Sequence, residues 1–170
     1  MSYSLYDASI TQAQDGMKAL SAIIAKAEAH ADNSSLAGAK LIDDMLPFSF
    51  QIFMATDVAQ KLAARGTGTE PLNLDRNFEN FAAMQARVDQ VLEILAKVDR
   101  DTFNGRQDTE VTIGLGPGKE ATVQLKQYVA GYVLPNLYFH ITTAYGILRK
   151  EGVDIGKQVY LTPFMGKYLS

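Results

Sequence analysis

Cysteine is absent from the 170 residues of this chain. That excludes disulfides, zinc ribbons and thiol catalysis, and it fits a reducing compartment. Concentrated charge is missing too. The formal net charge is -3, and no basic run exceeds Arg149-Lys150. A nucleic-acid surface needs a clustered basic face and a membrane-surface anchor needs a polybasic segment, so neither partner is expected. The stretch Met1 to Gly16 has no basic leader and places Asp7 and Asp15 where an apolar signal core would sit. The expected location is therefore the cytoplasm.

A membrane-spanning hydrophobic run is also lacking, although one segment approaches it. Gln127 to Leu148 carries no formal charge over about 22 positions, a spanning length. Yet Gln127, Asn136, His140, Thr142, Thr143 and several tyrosines interrupt it, and such groups are costly in lipid. A central helix buried by its neighbours accounts for it better. Hydrophobic residues at 47% and charged residues at 21% are ordinary globular values. Residues 1–170 fit one domain, large enough to bury a core without metal or disulfide.

What is present is helical periodicity. Ile10, Met17, Leu20, Ile24 and Ala27 predict a first helix from about Ser4 to Ala29. Phe48, Ile52, Ala55, Ala59 and Leu62 predict a second, with Asp44 near its N-cap and Gly66 ending it. Phe78, Phe81, Gln85, Val88, Leu92 and Leu95 predict a third, capped by Asn73 or Asp75 and stopping near Asp99. Between Thr109 and Leu125 the period becomes two, around Gly116-Pro117-Gly118, which predicts a short β-hairpin. A fourth helix follows to Lys150, with a kink expected between Gly131 and Pro135 and a C-terminal cap at Gly152. The alternating tail from Val153 to Ser170 reads as an extended strap. The fold class so predicted is all-α, an up-and-down four-helix bundle with a small hairpin before the last helix.

Particular blocks of sequence carry a family resemblance over nearly the whole chain. They are Ser4-Leu5-Tyr6-Asp7, Lys26-Ala27-Glu28-Ala29-His30, Asp44-Met45-Leu46-Pro47, and above all Pro135-Asn136-Leu137-Tyr138-Phe139-His140-Ile141-Thr142-Thr143-Ala144-Tyr145. Gly156-Lys157 and Tyr160-Leu161 extend the match into the tail. With them the chain resembles the DinB/YfiT-like superfamily and, within it, a domain-of-unknown-function family of bacterial and fungal proteins. The resemblance implies a bundle-interior divalent metal held by one histidine on the second helix and two on the fourth at i, i+4. In some members that metal serves thiol transfer. This chain departs from the pattern. It has two histidines in all; Ala144 and Asn136 stand four residues either side of His140, and the second helix has none. The three-histidine centre cannot be assembled, so no cofactor is assured, and a divalent metal remains an expectation resting on His140 and Asp57 alone.

Other motifs fail outright. Gly114 to Lys119 superficially resembles a phosphate loop, but Ile113 stands where its first glycine belongs and Glu120 where Ser or Thr would bind magnesium. No nucleophile elbow, H-E-x-x-H or EF-hand loop occurs. The residues that could build a site are His140, Asn136 and Thr143 on one face of the fourth helix, Tyr132 among its aromatics, and Asp57 on the second helix. Asp57 has two readings: facing His140 across the bundle, or pairing with Lys61 at i, i+4 on the surface. Three functions follow. The first is binding of a small, partly apolar molecule between helices two and four, anchored by Asn136, His140 and Asp57. The second is an enzyme with a mixed His/Asp metal centre, or with His140 as general base oriented by Asp57. The third is a non-catalytic homodimeric interaction module.

Overall fold

In the computed structural model, residues 3–114 and 116–169 are described. A π turn, Asp7–Thr11, leads into α1 (Gln12–Glu28), and Ile10, Met17, Leu20, Ile24 and Ala27 are fully buried, as their spacing predicts. Helix α2 (Phe48–Thr67) buries Phe48, Ile52, Ala55, Ala59 and Leu62. It starts after Pro47, and neither Asp44 nor any other side chain caps it. Gly66 lies inside α2, and the helix ends instead at left-handed Gly68 (φ 77°). Glycine at 66 has a packing cause: a Cβ there would sit 2.0 Å from the buried Phe103 ring.

Helix α3 (Phe81–Ala96) begins later than its apolar period suggests. Asn80, rather than Asn73 or Asp75, supplies the cap, accepting from the Ala83 N–H at 2.8 Å. Asp75 accepts instead from the Asn77 N–H at 2.9 Å. Asp99, expected to mark only a stop, caps a further short helix, α4 (Arg100–Gly105), which delivers Phe103 to the core. The hairpin pairs β1 (Glu110–Gly114) with β2 (Glu120–Gln124), setting Val111 opposite Val123 and Ile113 opposite Ala121.

The last long helix is built in three pieces: α5 (Leu125–Tyr128), a π turn (Val129–Val133) and α6 (Leu134–Lys150). The expected kink is this π turn. Pro135 lacks an N–H, and widening the turn just before it absorbs the missing hydrogen bond within a continuous helix. Gly152 (φ 81°) closes α6 as its position predicts. The tail is not an extended strap. It folds as α7 (Lys157–Met165), with Pro163 inside. Tyr160 and Phe164, four residues apart, pack on each other, and Phe164 meets Tyr138 of α6 edge-on. Helical i, i+4 contact outweighs the alternating pattern. Lys167, just beyond, reaches back to buried Asp15 of α1 at 2.5 Å.

The four long helices form a ring in which α1 touches α3 and α6, and α2 touches α3 and α6. Their directions follow from which ends meet. Phe48 and Phe81, the first residues of α2 and α3, approach to 6.4 Å between ring centroids, so these two run parallel. Ser21 of α1 accepts from Gln85 of α3, and the ring of Tyr6, before α1, packs edge-to-face with Phe103, beyond α3, so α1 opposes them. Gln51 pairs with His140 while Arg65 reaches Tyr128, so the last helix opposes α2. The order is up, down, down, up: the all-α four-helix bundle forms as expected, but its middle pair is parallel where an up-and-down bundle would alternate. Parallel neighbours require the chain to travel back along α2, and residues 69–80 do so without regular structure. Twelve residues at roughly 3.3 Å each reach farther than the roughly 30 Å of a twenty-residue helix. Gln60, buried on α2, fastens this connector by exchanging two hydrogen bonds of 3.0 Å with the Leu72 backbone. Among the described residues no helix is long and apolar enough to cross a membrane.

Candidate functional site

Steps of three and four along α2 turn Met54, Asp57, Lys61 and Arg65 to one side. Across from them the π turn presents Tyr132, α5 presents Tyr128, and β1 contributes Ile113 and Gly114. Together these line a cavity of about 240 Å³. It adjoins a wider, partly open cleft of about 660 Å³ that shares Met54, Asp57, Lys61 and Tyr132 and is bordered on its outer side by the connector, with Leu72 and Arg76. The site is thus framed by α2, the last helix, the hairpin and the return segment.

Its charges are arranged in sequence order. Asp57 is 7% exposed and holds Lys61 at 2.5 Å, and Gln60 Nε2 donates to its other oxygen at 3.1 Å. The i, i+4 pair read from the sequence does form, but around a buried carboxylate rather than on an open surface. One turn further on, Arg65 Nη1 donates to the Tyr128 hydroxyl at 2.8 Å, with the guanidinium 5.2 Å from that ring's centroid. Burial pushes the Tyr128 phenol up, against the opposing pull of Arg65, so it stays protonated. Tyr132 stacks on Tyr128, with centroids 5.7 Å apart and planes inclined by 19°.

His140 occupies a different place. Its ring turns in toward α2, where Nδ1 lies 2.8 Å from Gln51 Oε1. Gln51 Nε2 donates to the Leu46 carbonyl at 2.9 Å, which fixes the amide orientation. Oε1 can then only accept, so His140 Nδ1 carries the proton and Nε2 the lone pair. Burial pushes the imidazole down to about 4, leaving it neutral at pH 7. Thr143 is spent on its own helix, donating to the Phe139 carbonyl at 2.7 Å. Asn136 is half-buried one turn before His140.

The five residues singled out from the sequence are therefore split. Asp57 and Tyr132 line the cleft. His140, Asn136 and Thr143 are not among its lining residues. Asp57 follows Gln51 by six residues, about 9 Å of helical rise and a different helix face, so the group that orients His140 is Gln51 and not Asp57. The residues do not fit the metal centre that the resemblance implies. His140 offers at most its Nε2 lone pair, Asp57 lies on a different face of α2 and is neutralised by Lys61, and among the described residues no group of three or more His, Cys, Asp or Glu side chains converges on one point. Arg65, Lys61 and Tyr128 are the cleft residues that sequence reasoning passed over as a binding set. The signal was there: Asp57, Lys61 and Arg65 recur every four residues, as do Tyr128 and Tyr132.

No curated protein matches this chain. Among solved structures, the crystal structure of a DinB family member protein from Shewanella denitrificans is 34% identical with a TM-score of 0.83, covering 92% of this chain and 91% of that one. The bundle described above is therefore a DinB-like fold. A family model described as a domain of unknown function, DUF1993, matches residues 5–161, and the chain belongs to that family.

Proposed function

We propose that this protein binds a small, partly apolar molecule in the cleft between α2 and the last helix. The observation that carries the reading is the gathering of Asp57, Lys61 and Arg65 on α2 opposite Tyr128 and Tyr132 on the last helix, beside the apolar Met54, Val58 and Ile113. The lining sets these polar groups among apolar side chains in comparable measure, and about 660 Å³ lies in the size range of small-molecule sites. The π turn supports the reading, since such turns recur at functional sites and this one places Tyr132 at the cleft. The anchors in this reading are Asp57 and Tyr132, joined by Lys61 and Arg65. His140 serves as a tie between α6 and α2.

Thermal-shift screening of the purified chain against small carboxylates, amides and alcohols tests it. A bound compound at 100 times its Kd should add about 2.7 kcal/mol. Tyr132→Ala, at the cleft wall, should abolish that gain, whereas His140→Gln should leave it in place. A ligand response that survives Tyr132→Ala and vanishes with His140→Gln would move the site away from the cleft and refute the reading.

A further inference from the structure

We infer that the cleft selects an organic monoanion, a carboxylate attached to an apolar and preferably flat body, with Arg65 as its recognition residue. The inference rests on the binding reading above and adds the ligand's charge and shape. Four charged side chains line the two adjoining cavities: Asp57, Lys61, Arg65 and Arg76. Three are cations, in a chain whose net charge is -3. The excess is local and opposite in sign to the whole molecule.

The hydrogen bonds show which cation is available. Lys61 is committed to Asp57 at 2.5 Å. Arg65 has no carboxylate within ion-pair distance among the described residues, and its one side-chain hydrogen bond goes to the neutral Tyr128 hydroxyl. A guanidinium has five N–H donors in a fixed fork, so four remain for an acceptor, in a geometry that matches a carboxylate's two oxygens. Half-buried, it is a cation already stripped of part of its water and lacking a counter-ion. Arg76 stands farther out on the connector, over the Phe53 ring at 5.7 Å, where it can draw an anion inward.

The remaining lining sets the body of the ligand. Tyr132 makes no side-chain hydrogen bond among the described residues, so its hydroxyl is free to donate, and Phe53, Met54 and Ile113 supply apolar wall. Asp57 and Lys61 cancel one another, so among the described residues the inner cavity carries the single unpaired charge of Arg65, which one carboxylate matches. A monocarboxylate is therefore favoured over a phosphate dianion.

Isothermal titration of the full chain at low ionic strength separates these possibilities. The probes are phenylacetate, hexanoate and cinnamate, each paired with its neutral amide, and inorganic phosphate. At least one carboxylate should bind ten-fold or more tightly than its amide, and phosphate more weakly than that carboxylate. Arg65→Gln should erase the preference of acid over amide, and Arg65→Lys should restore only part of it, because an ammonium cannot make the two-pronged contact. Circular dichroism and Tm of the variants confirm that they fold. Equal affinity for acid and amide, a preference untouched by Arg65→Gln, or tighter binding of phosphate would each overturn the monoanion inference. If amides bind and Tyr132→Ala abolishes that binding, the cleft stands and only its charge preference falls. Failure of every carboxylate to bind by about 10 mM also overturns the inference, and a neutral compound found by thermal shift would then keep the cleft.

Discussion

Taking the solution from pH 7 to pH 4 puts a proton on His140 in the unfolded chain well before it does so in the folded one. The imidazole is held at about 4 by burial, against an ordinary value of 6.5. Between those values the unfolded state binds more protons than the native state, so stability rises with pH across the window and is lost as pH falls through it. The slope for one such group approaches about 1.4 kcal/mol per pH unit, and the window is worth about 3 kcal/mol in all. That is a large share of the roughly 5–15 kcal/mol that holds a typical domain together. The assay is urea unfolding of wild type and His140→Gln at half-unit steps from pH 7 to pH 4. Glutamine keeps a donor for Gln51 Oε1 and cannot titrate. Groups away from this contact, the acidic Asp7 cluster among them, are common to both proteins and cancel in the difference. Wild type should lose about 3 kcal/mol more than the variant over this range. Parallel stability curves would refute the placement of a neutral, proton-donating Nδ1 against the Gln51 carbonyl.

Two further substitutions test packing. Gly66→Ala, which in an exposed helix would stabilise by about 1 kcal/mol, should here destabilise by about 2 kcal/mol and lower Tm by about 6 °C, because the new methyl meets Phe103. Adding Phe103→Leu should recover part of the loss, and a higher Tm for the single variant would contradict the contact. Lys167→Met leaves Asp15, only 2% exposed, with just Lys18 at 3.7 Å, and should cost about 2 kcal/mol. Hydrogen exchange in α7 should speed up in that variant; unchanged exchange would show that the ion pair does not fasten the tail.

Periodicity made the long helices and the hairpin legible, because burial of a stripe and alternation of a strand are local properties. Ile10 through Ala27, the Val111/Ile113 alternation and Gly152 needed no partner to be understood. The misreadings all have tertiary causes. Gly66 resembled a stop signal, yet it is glycine because Phe103, thirty-seven positions later in the chain, packs on it. The start of α3 offered two residues able to cap, Asn73 and Asp75, and the connector's path along α2 puts Asn80 there instead. The tail alternated and held Pro163, so its helix is decided by Tyr138 and α1 rather than by its own pattern. For the site, the sequence offered Asp57 with two partners and could not show that Lys61 pairs with it in a buried setting. It also favoured His140 as the centre of interest because histidine is rare here. A fixed amide partner on α2 is visible only once the helices are assembled.

The order of the helices governs when the cleft can come into being. Helices α1 and α2 sit on a diagonal of the ring, α2 and α3 point the same way, and α3 and α6 are not neighbours. No two successive long helices pair as a local antiparallel hairpin, and most of the broad helix contacts join stretches far apart in the chain. Folding should therefore be slower than for a helical bundle of simple meandering order, since closing large loops precedes the reward. During synthesis, the two walls of the cleft, α2 and the last helix, cannot meet until the chain through α6 has left the ribosome.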